Sequence, residues 1–315
     1  MYKAFYGLRE HPFNISPDPR FLHLTRRAHD ALACLFYSLS RRRGFVLLSG
    51  EVGTGKTTLL NCLLLELRKR NIPCAFVVNP RLDPIEFLEL TLSEFGIGGP
   101  SRGKGQMLQR LHHWLQDRQA AGRTVVLIVD EAHTMSLDLL EEIRLLTNLE
   151  NSAGKLLQIV LSGQPEIEDK LNLPQMRQVK QRIVLHARLQ PLSPEETEGY
   201  IRTRLKRAGA NGQGVFSPEA VRAINRYSQG IPRLINLICE NALISGFAAH
   251  RRPISVELVE EVAKDFQFDA PTAPSPSAPP LASELPASLQ RILSDPKLST
   301  AFLNFLQLVE QAHNP

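Results

Sequence analysis

Nine consecutive residues, Gly50-Glu51-Val52-Gly53-Thr54-Gly55-Lys56-Thr57-Thr58, combine three glycines, a lysine and three threonines. Glycine permits backbone geometries in which successive N–H groups converge on one anion. The spacing Gly50-x-x-x-x-Gly55-Lys56-Thr57 is that of a phosphate-binding loop. The apolar run "FVLLSG" precedes it and the helix-forming "KTTLLNCLLLELRKR" follows, so the positive end of a helix adds to the loop. In this reading Lys56 reaches the β- and γ-phosphates of ATP, and the Thr57 hydroxyl binds Mg²⁺. A glycine-rich turn without a ligand is the plain alternative, and the strand–loop–helix context argues against it.

A second stretch, "TVVLIVDEAHT" (124–134), is an apolar, β-branched run ending in two adjacent acids. Carboxylates at the tip of a buried strand need counter-charge. Beside a phosphate loop, Asp130 can hold Mg²⁺ directly or through water. Glu131 can polarise the attacking water as general base. Two capping acids at a strand end are the bland reading. His133 completes "DEAH" but carries little weight, because the chain has no room for a second helicase core domain. After the next strand, "LSGQPE" offers Gln164 as a contact to the γ-phosphate or the water, with Ser162 behind it; a simple strand-end turn is the other possibility. Arg182, with Arg177 in reserve, precedes the last strand, where an arginine can reach a neighbouring subunit's nucleotide. Arg233 follows Pro232 in the first turn of an apolar helix. A cation is unfavourable there unless it faces an anion such as ATP.

The elements that must position these groups alternate. Strands are expected at 45–50, 74–78, 124–130, 156–163 and 183–189. Helices are expected at about 26–41, 56–70, from Asp83, at 105–120 and from Ser136 to about 148. Short apolar strands separated by helices predict a three-layer α/β sandwich around a parallel five-stranded sheet. Asp83-Pro84-x-Glu86 and Ser193-Pro194-x-Glu196 carry N-cap, Pro at N1 and acid at N3, and Ser217-Pro218-Glu219 repeats the start. From residue 192 no strand is evident, which predicts an all-helical lid with helices including 232–249 and 255–267. The divisions are then an N-terminal segment (1–40), a phosphate-loop core (41–191), a helical lid (192–268), a Pro/Ala/Ser-rich linker (269–289) and a C-terminal amphipathic helix (290–315). Leu298, Phe302, Phe305, Leu306 and Val309 share one face of that helix, which suits docking to a protein groove.

The chain has 315 residues, 43% hydrophobic and 22% charged, with a net charge of +5. That is an ordinary globular profile whose mild basicity permits DNA or an anionic membrane surface without demanding either. Arg41-Arg42-Arg43 and "RTRLKR" read as solvated basic faces, or more sharply as phosphate contacts. Cys34, Cys62, Cys74 and Cys239 show no metal-ligand spacing, and three of them sit in apolar runs, which suits a reducing compartment. The N-terminus lacks a secretory h-region, and no apolar run approaches the roughly 18 residues of a membrane span. The cytoplasm, including the inner face of the membrane, is the expected location.

Together "FYGLREHPFNISPDPRFL", "GEVGTGKTT", "VVLIVDEAH", "RLLTNLE", "LSGQPE" and "GIPRLIN" resemble the AAA+ ATPases of the general secretion pathway protein A family over roughly residues 1–268. The resemblance implies an AAA+ core, a helical lid, ATP hydrolysis and ring-like homo-oligomers. Lys56, Thr57, Asp130 and Glu131 match its nucleotide and hydrolysis motifs, and Arg233 matches the lid arginine called sensor 2. Longer members continue into a membrane span and a peptidoglycan-binding domain. A Pro-rich linker and a short amphipathic helix stand here instead, so direct work on peptidoglycan is not expected. The related TniB- and TnsC-like transposition ATPases share much of this core and bind DNA. The leading expectation is an oligomeric ATPase that assembles or remodels a secretion or envelope complex. The alternatives are an ATP-dependent DNA-binding regulator of transposition, and a switch that binds ATP with negligible hydrolysis.

Overall fold

The structure, a computed structural model, describes residues 2–268 apart from 79, 101, 102, 153 and 211–213. The linker and the terminal amphipathic helix expected from the sequence lie outside the described residues.

In chain order the elements are α1 (Tyr2–Tyr6), α2 (Arg26–Ser40), β1 (Phe45–Gly50), α3 (Lys56–Lys69), β2 (Cys74–Val77), α4 (Pro84–Glu94), α5 (Lys104–Ala120), β3 (Val125–Val129), α6 (Leu137–Leu146), β4 (Glu150–Asn151), β5 (Gly154–Lys155), β6 (Leu157–Gly163), α7 (Glu166–Asn172), α8 (Arg177–Arg182), β7 (Ile183–Leu189), α9 (Pro194–Arg207), α10 (Pro218–Ser228), α11 (Pro232–Ala248) and α12 (Val256–Asp265). The main sheet runs β2-β3-β6-β1-β7, every pair parallel. β1, β3 and β6 are buried throughout, as largely apolar runs demand when helices cover both faces. At the edge, β7 alternates, with His186 and Arg188 exposed. The five expected strands are the five of the main sheet; β4 and β5 form a separate antiparallel pair.

Local chemistry sets the helix starts. The Asp83 carboxylate accepts from the N–H groups of Ile85 and Glu86, and the Glu86 carboxylate accepts the Asp83 N–H at 3.1 Å, closing a capping box. Ser193 and Glu196 make the same reciprocal pair at α9. Ser217 and Ser136 each accept one N–H from the helix they start.

One apolar cluster lies on each face of the sheet. Phe45, Phe87, Leu127 and Leu161 mark one, and Leu35, Leu60, Ile128 and Val160 mark the other. Trp114 is only partly buried, against Phe95, with Arg118 over its ring. A third cluster holds the lid together and contains Tyr2, Tyr6, Leu8, Phe13 and Phe21 beside Ile224, Ile235 and Leu243. The first forty residues, expected as one N-terminal segment, therefore divide. Residues 2–21 join the lid core and include the short helix α1. α2 covers the sheet beside β7. The physical reason is the density of aromatic side chains before residue 22, whose burial gains more than solvated Pro-punctuated chain would.

Candidate functional site

β1 delivers the chain to the loop at 51–55. Gly53 and Gly55 take φ of +79° and +99°, which side-chain-bearing residues rarely adopt, and Gly55 is the residue from which α3 starts. Lys56 heads α3 and is 5% exposed. Its ammonium donates to the carbonyls of Gly50 at 2.7 Å and Glu51 at 3.0 Å. Burial lowers its pKa from the usual lysine value, opposed by the carboxylates of Glu131, Asp130, Glu51 and Glu166. Gly50 and Glu51, expected at the phosphates, thus contribute carbonyls to Lys56. The Thr54 hydroxyl closes the loop on Glu51 at 2.8 Å.

In the sheet β6 separates β1 from β3, so Asp130 ends two strands away from the loop. The Thr57 hydroxyl spans the gap and donates to Asp130 Oδ2 at 2.9 Å. Asp130 is 1% exposed, and its Oδ1 accepts the Glu131 N–H at 3.0 Å. Glu131 has left-handed backbone, φ 56° and ψ 33°, and its side chain is about a third exposed. Thr57 and Asp130 offer hard oxygen ligands. Among the described residues no group of three or more His, Cys, Asp or Glu could cage a metal ion. That donor set suits magnesium, which keeps waters and substrate phosphate oxygens in its shell.

A cleft of about 420 Å³ opens above these groups. Val52, Gly53, Gly55, Lys56, Thr57 and Thr58 line it from the loop and α3, Glu131 and Gln164 from the strand ends, and Arg233 from the lid. The lid meets the loop directly, since the Arg233 N–H donates to the Gly53 carbonyl at 3.2 Å. Beside the cleft a more apolar recess of about 70 Å³ is bounded by Phe21, Leu22, Leu59, Leu189 and Leu192. Gly55, Thr58, Tyr200, Arg204 and Pro232 belong to both spaces. A charged half and an apolar half in continuity suit a molecule with phosphates at one end and a flat ring at the other.

Of the other candidates, Ser162 is fully buried behind the strand end, and Gln164 projects into the cleft. Arg177 and Arg182 are exposed on α8 and do not line this chain's cleft; Arg182 donates to Asn148 at 2.9 Å. Neither arginine is placed to reach a nucleotide in this chain's own cleft.

Three features escaped the sequence reading. His133 stands between Glu131 and Gln164, with Nδ1 3.5 Å from the Glu131 carboxylate and Nε2 3.0 Å from the Gln164 amide nitrogen. The adjacency in "DEAH" was visible, but its pairing with Gln164 depends on β6. Asn14–Asp18 wall the cleft, a role that the "HPFNISPDP" punctuation does not reveal. In the basic "RTRLKR" stretch, read as a solvated face, Arg202 does face solvent, whereas Arg204 is 6% exposed and turned inward. The spacing of Tyr200 and Arg204, four residues apart on one helix face, was the available signal.

Comparison with known proteins agrees with this architecture. Residues 39–171 match the AAA domain family. General secretion pathway protein A of Aeromonas hydrophila is 45% identical over 249 residues, which make up 79% of this chain and 45% of that protein. The chain thus spans just under half the length of that relative. The AAA+ ATPase ClpV1 of Pseudomonas aeruginosa is 30% identical over 97 residues, 31% of this chain and 10% of that one. Among solved structures, Aeropyrum pernix ORC2 in ADPNP–ADP complexes aligns with a TM-score of 0.61 at 19% identity, covering 81% of this chain and 71% of that one. Drosophila ORC bound to DNA aligns with a TM-score of 0.62 at 20% identity, covering 82% and 65%. At these identities the structural likeness establishes the fold alone. Among the described residues no helix is long and apolar enough to cross a membrane.

Proposed function

The chain belongs to the AAA+ family and is related to general secretion pathway protein A, and on that premise we propose that it hydrolyses ATP as a ring-like homo-oligomer. The cycle drives assembly or remodelling of a partner complex of the secretion machinery or cell envelope. One observation carries the catalytic part of this reading: Lys56, the Thr57–Asp130 pair, Glu131, Gln164 and the lid's Arg233 converge on one cleft.

Each side chain has a role that its environment supports. Lys56, buried and already directed at backbone oxygens, neutralises the β- and γ-phosphates. Thr57 and Asp130 hold magnesium, which when bound offsets phosphate charge. Glu131 accepts a proton from the attacking water as the water oxygen bonds to the γ-phosphorus. The bond to the β-phosphate oxygen then breaks, giving ADP and inorganic phosphate. Gln164, bracketed by His133, orients the water or the γ-phosphate. Arg233 adds positive charge from the lid, so closure completes the site. Arg182, or Arg177, from a neighbouring subunit stabilises charge on the transferring phosphoryl group.

Glu131→Gln separates binding from chemistry. The variant keeps the shape and loses the base, so ATP affinity by calorimetry should match the parent while steady-state phosphate release falls by roughly 10²–10⁴-fold. Release at the parental rate would remove Glu131 from the mechanism. If the parent binds ATP without releasing phosphate, the chain is a nucleotide-operated switch.

A further inference from the structure

A cation buried as deeply as Arg204 is costly unless its donors are occupied. Its Nε donates to the Pro12 carbonyl at 2.5 Å, Nη2 to the Asn14 carbonyl at 3.3 Å and Nη1 to the Tyr200 hydroxyl at 2.7 Å. The guanidinium stands over the Phe21 ring at 4.9 Å and the Tyr200 ring at 5.4 Å. Tyr200 in turn donates to Asn236 on α11 at 2.9 Å. One side chain of α9 therefore ties two carbonyls of the N-terminal segment to two lid helices. A turn later, Arg207 repeats the device on the carbonyls of Leu22 and Arg20. The segment so fastened continues directly into Asn14–Asp18, the wall of the cleft, and Arg204 itself borders both the cleft and the apolar recess.

We propose that Arg204 is a positioning residue for the nucleoside half of the substrate: it fixes residues 12–18 against the lid, so that segment and lid close on the base and ribose as one unit. This rests on the ATP reading above and adds a residue to it. The partners of Arg204 are neutral oxygens and rings, which shows what it holds. A guanidinium meant for phosphate would present its donors to the loop, as Lys56 does.

The test compares a ligand that has a nucleoside with one that lacks it. Full-length parent, Arg204→Lys and Arg204→Ala are titrated calorimetrically with Mg-ATP and with Mg-tripolyphosphate. Losing charge-assisted bonds to two carbonyls should weaken ATP about tenfold or more in Arg204→Ala, while tripolyphosphate stays within about twofold of the parent. Arg204→Lys, a single point donor that cannot bridge Pro12 and Asn14, should fall between. Backbone amides within 13–18 should exchange faster in both variants with ATP bound. Equal losses for the two ligands would place Arg204 on the phosphates or in general lid stability and overturn the proposal. So would unchanged affinity for both. If Arg204→Ala does not fold, Arg204→Lys decides by the same comparison. A parent that fails to bind ATP defeats the reading of the preceding subsection, and this one with it.

Discussion

Gly53→Ala probes the contact between lid and phosphate loop. At φ +79° a side-chain-bearing residue costs roughly 1–2 kcal/mol whatever surrounds it. The added Cβ also falls 2.7 Å from the Arg233 Cβ and 3.1 Å from the Ile231 Cγ2. Arg233 Cβ is rooted in the first turn of α11, so it cannot swing aside as the end of a long side chain could. Such overpacking costs about 1–3 kcal/mol. The two costs appear in different measurements. Backbone strain is present with the lid open or closed and lowers the thermal midpoint. The clash is relieved when the lid lifts, at the loss of the Arg233 N–H to Gly53 carbonyl bond, and returns when a ligand requires closure. ATP affinity should therefore drop by about 5- to 150-fold, the equivalent of 1–3 kcal/mol. Gly55→Ala is the control for the lid contact alone, because its φ of +99° brings similar strain while nothing of the lid lies within 4 Å of the added carbon. Hydrogen exchange at the Arg233 amide should accelerate in Gly53→Ala and stay parental in Gly55→Ala. An unchanged Arg233 amide and unchanged ATP affinity in Gly53→Ala would refute the claim that closure seats the lid on this loop.

Lys56→Met should lose ATP binding and yet gain thermal stability without nucleotide. Burial depresses the folded pKa of Lys56, so the folded chain holds this proton less tightly than the unfolded chain does. The penalty is full below the depressed value, shrinks as pH rises toward the ordinary lysine value and is gone above it. Methionine removes it at pH 8; a midpoint at or below the parent's would mean that the carbonyl and carboxylate contacts outweigh desolvation. Arg182→Ala should reduce phosphate release on the order of 10³-fold or more if it serves a neighbour's nucleotide. Mixing it with Lys56→Met, whose arginine is intact, should then restore part of the activity. Absence of recovery would turn attention to Arg177, tested by the same mixing.

What could be read from the residues divides along a physical line. Strands β1, β3 and β6, the helix caps at Asp83, Ser136, Ser193 and Ser217, and the phosphate loop are legible because each is specified within a few residues, by a largely apolar run, a glycine-lysine-threonine motif or a cap hydrogen bond. The same holds for the gathering of Lys56, Thr57, Asp130 and Glu131 about one cleft, since each lies in a short motif at a strand end or helix start. What failed was long-range. Tyr2, Tyr6 and Phe13 advertise burial but not their partner, which lies more than 180 residues further along the chain. Arg204 looks like its exposed neighbour Arg202 until carbonyls from residues 12 and 14 arrive to fill its donors. Short elements such as α8 and the β4–β5 hairpin carry too few residues to show a period.

The two acids at the end of β3 resolve into different electrostatic cases. From the residues alone, both need a nucleotide and its metal to balance their burial. Asp130 does not, because Thr57 donates to one of its oxygens and the Glu131 N–H to the other. Its charge is satisfied within the protein, which fits a residue pre-positioned to hold an ion through Thr57. Glu131 carries the unusual backbone. Among the described residues, six without glycine's freedom have positive φ; five of them, Arg42, Asn71, Gln229, His250 and Gln267, follow the ends of helices, where left-handed caps are ordinary. Glu131 alone follows a strand. A left-handed residue there costs on the order of 1–3 kcal/mol and persists only where its surroundings impose it. Here the imposition comes from the Asp130 Oδ1 bond to its N–H and from Thr134, whose N–H and hydroxyl both donate to its carbonyl. The strain turns the chain so that the second carboxylate stands in the cleft beside His133 and Gln164 while the first stays buried. A carboxylate aimed by backbone in this way stays accessible to water, as the general base proposed above must be to take a proton from one.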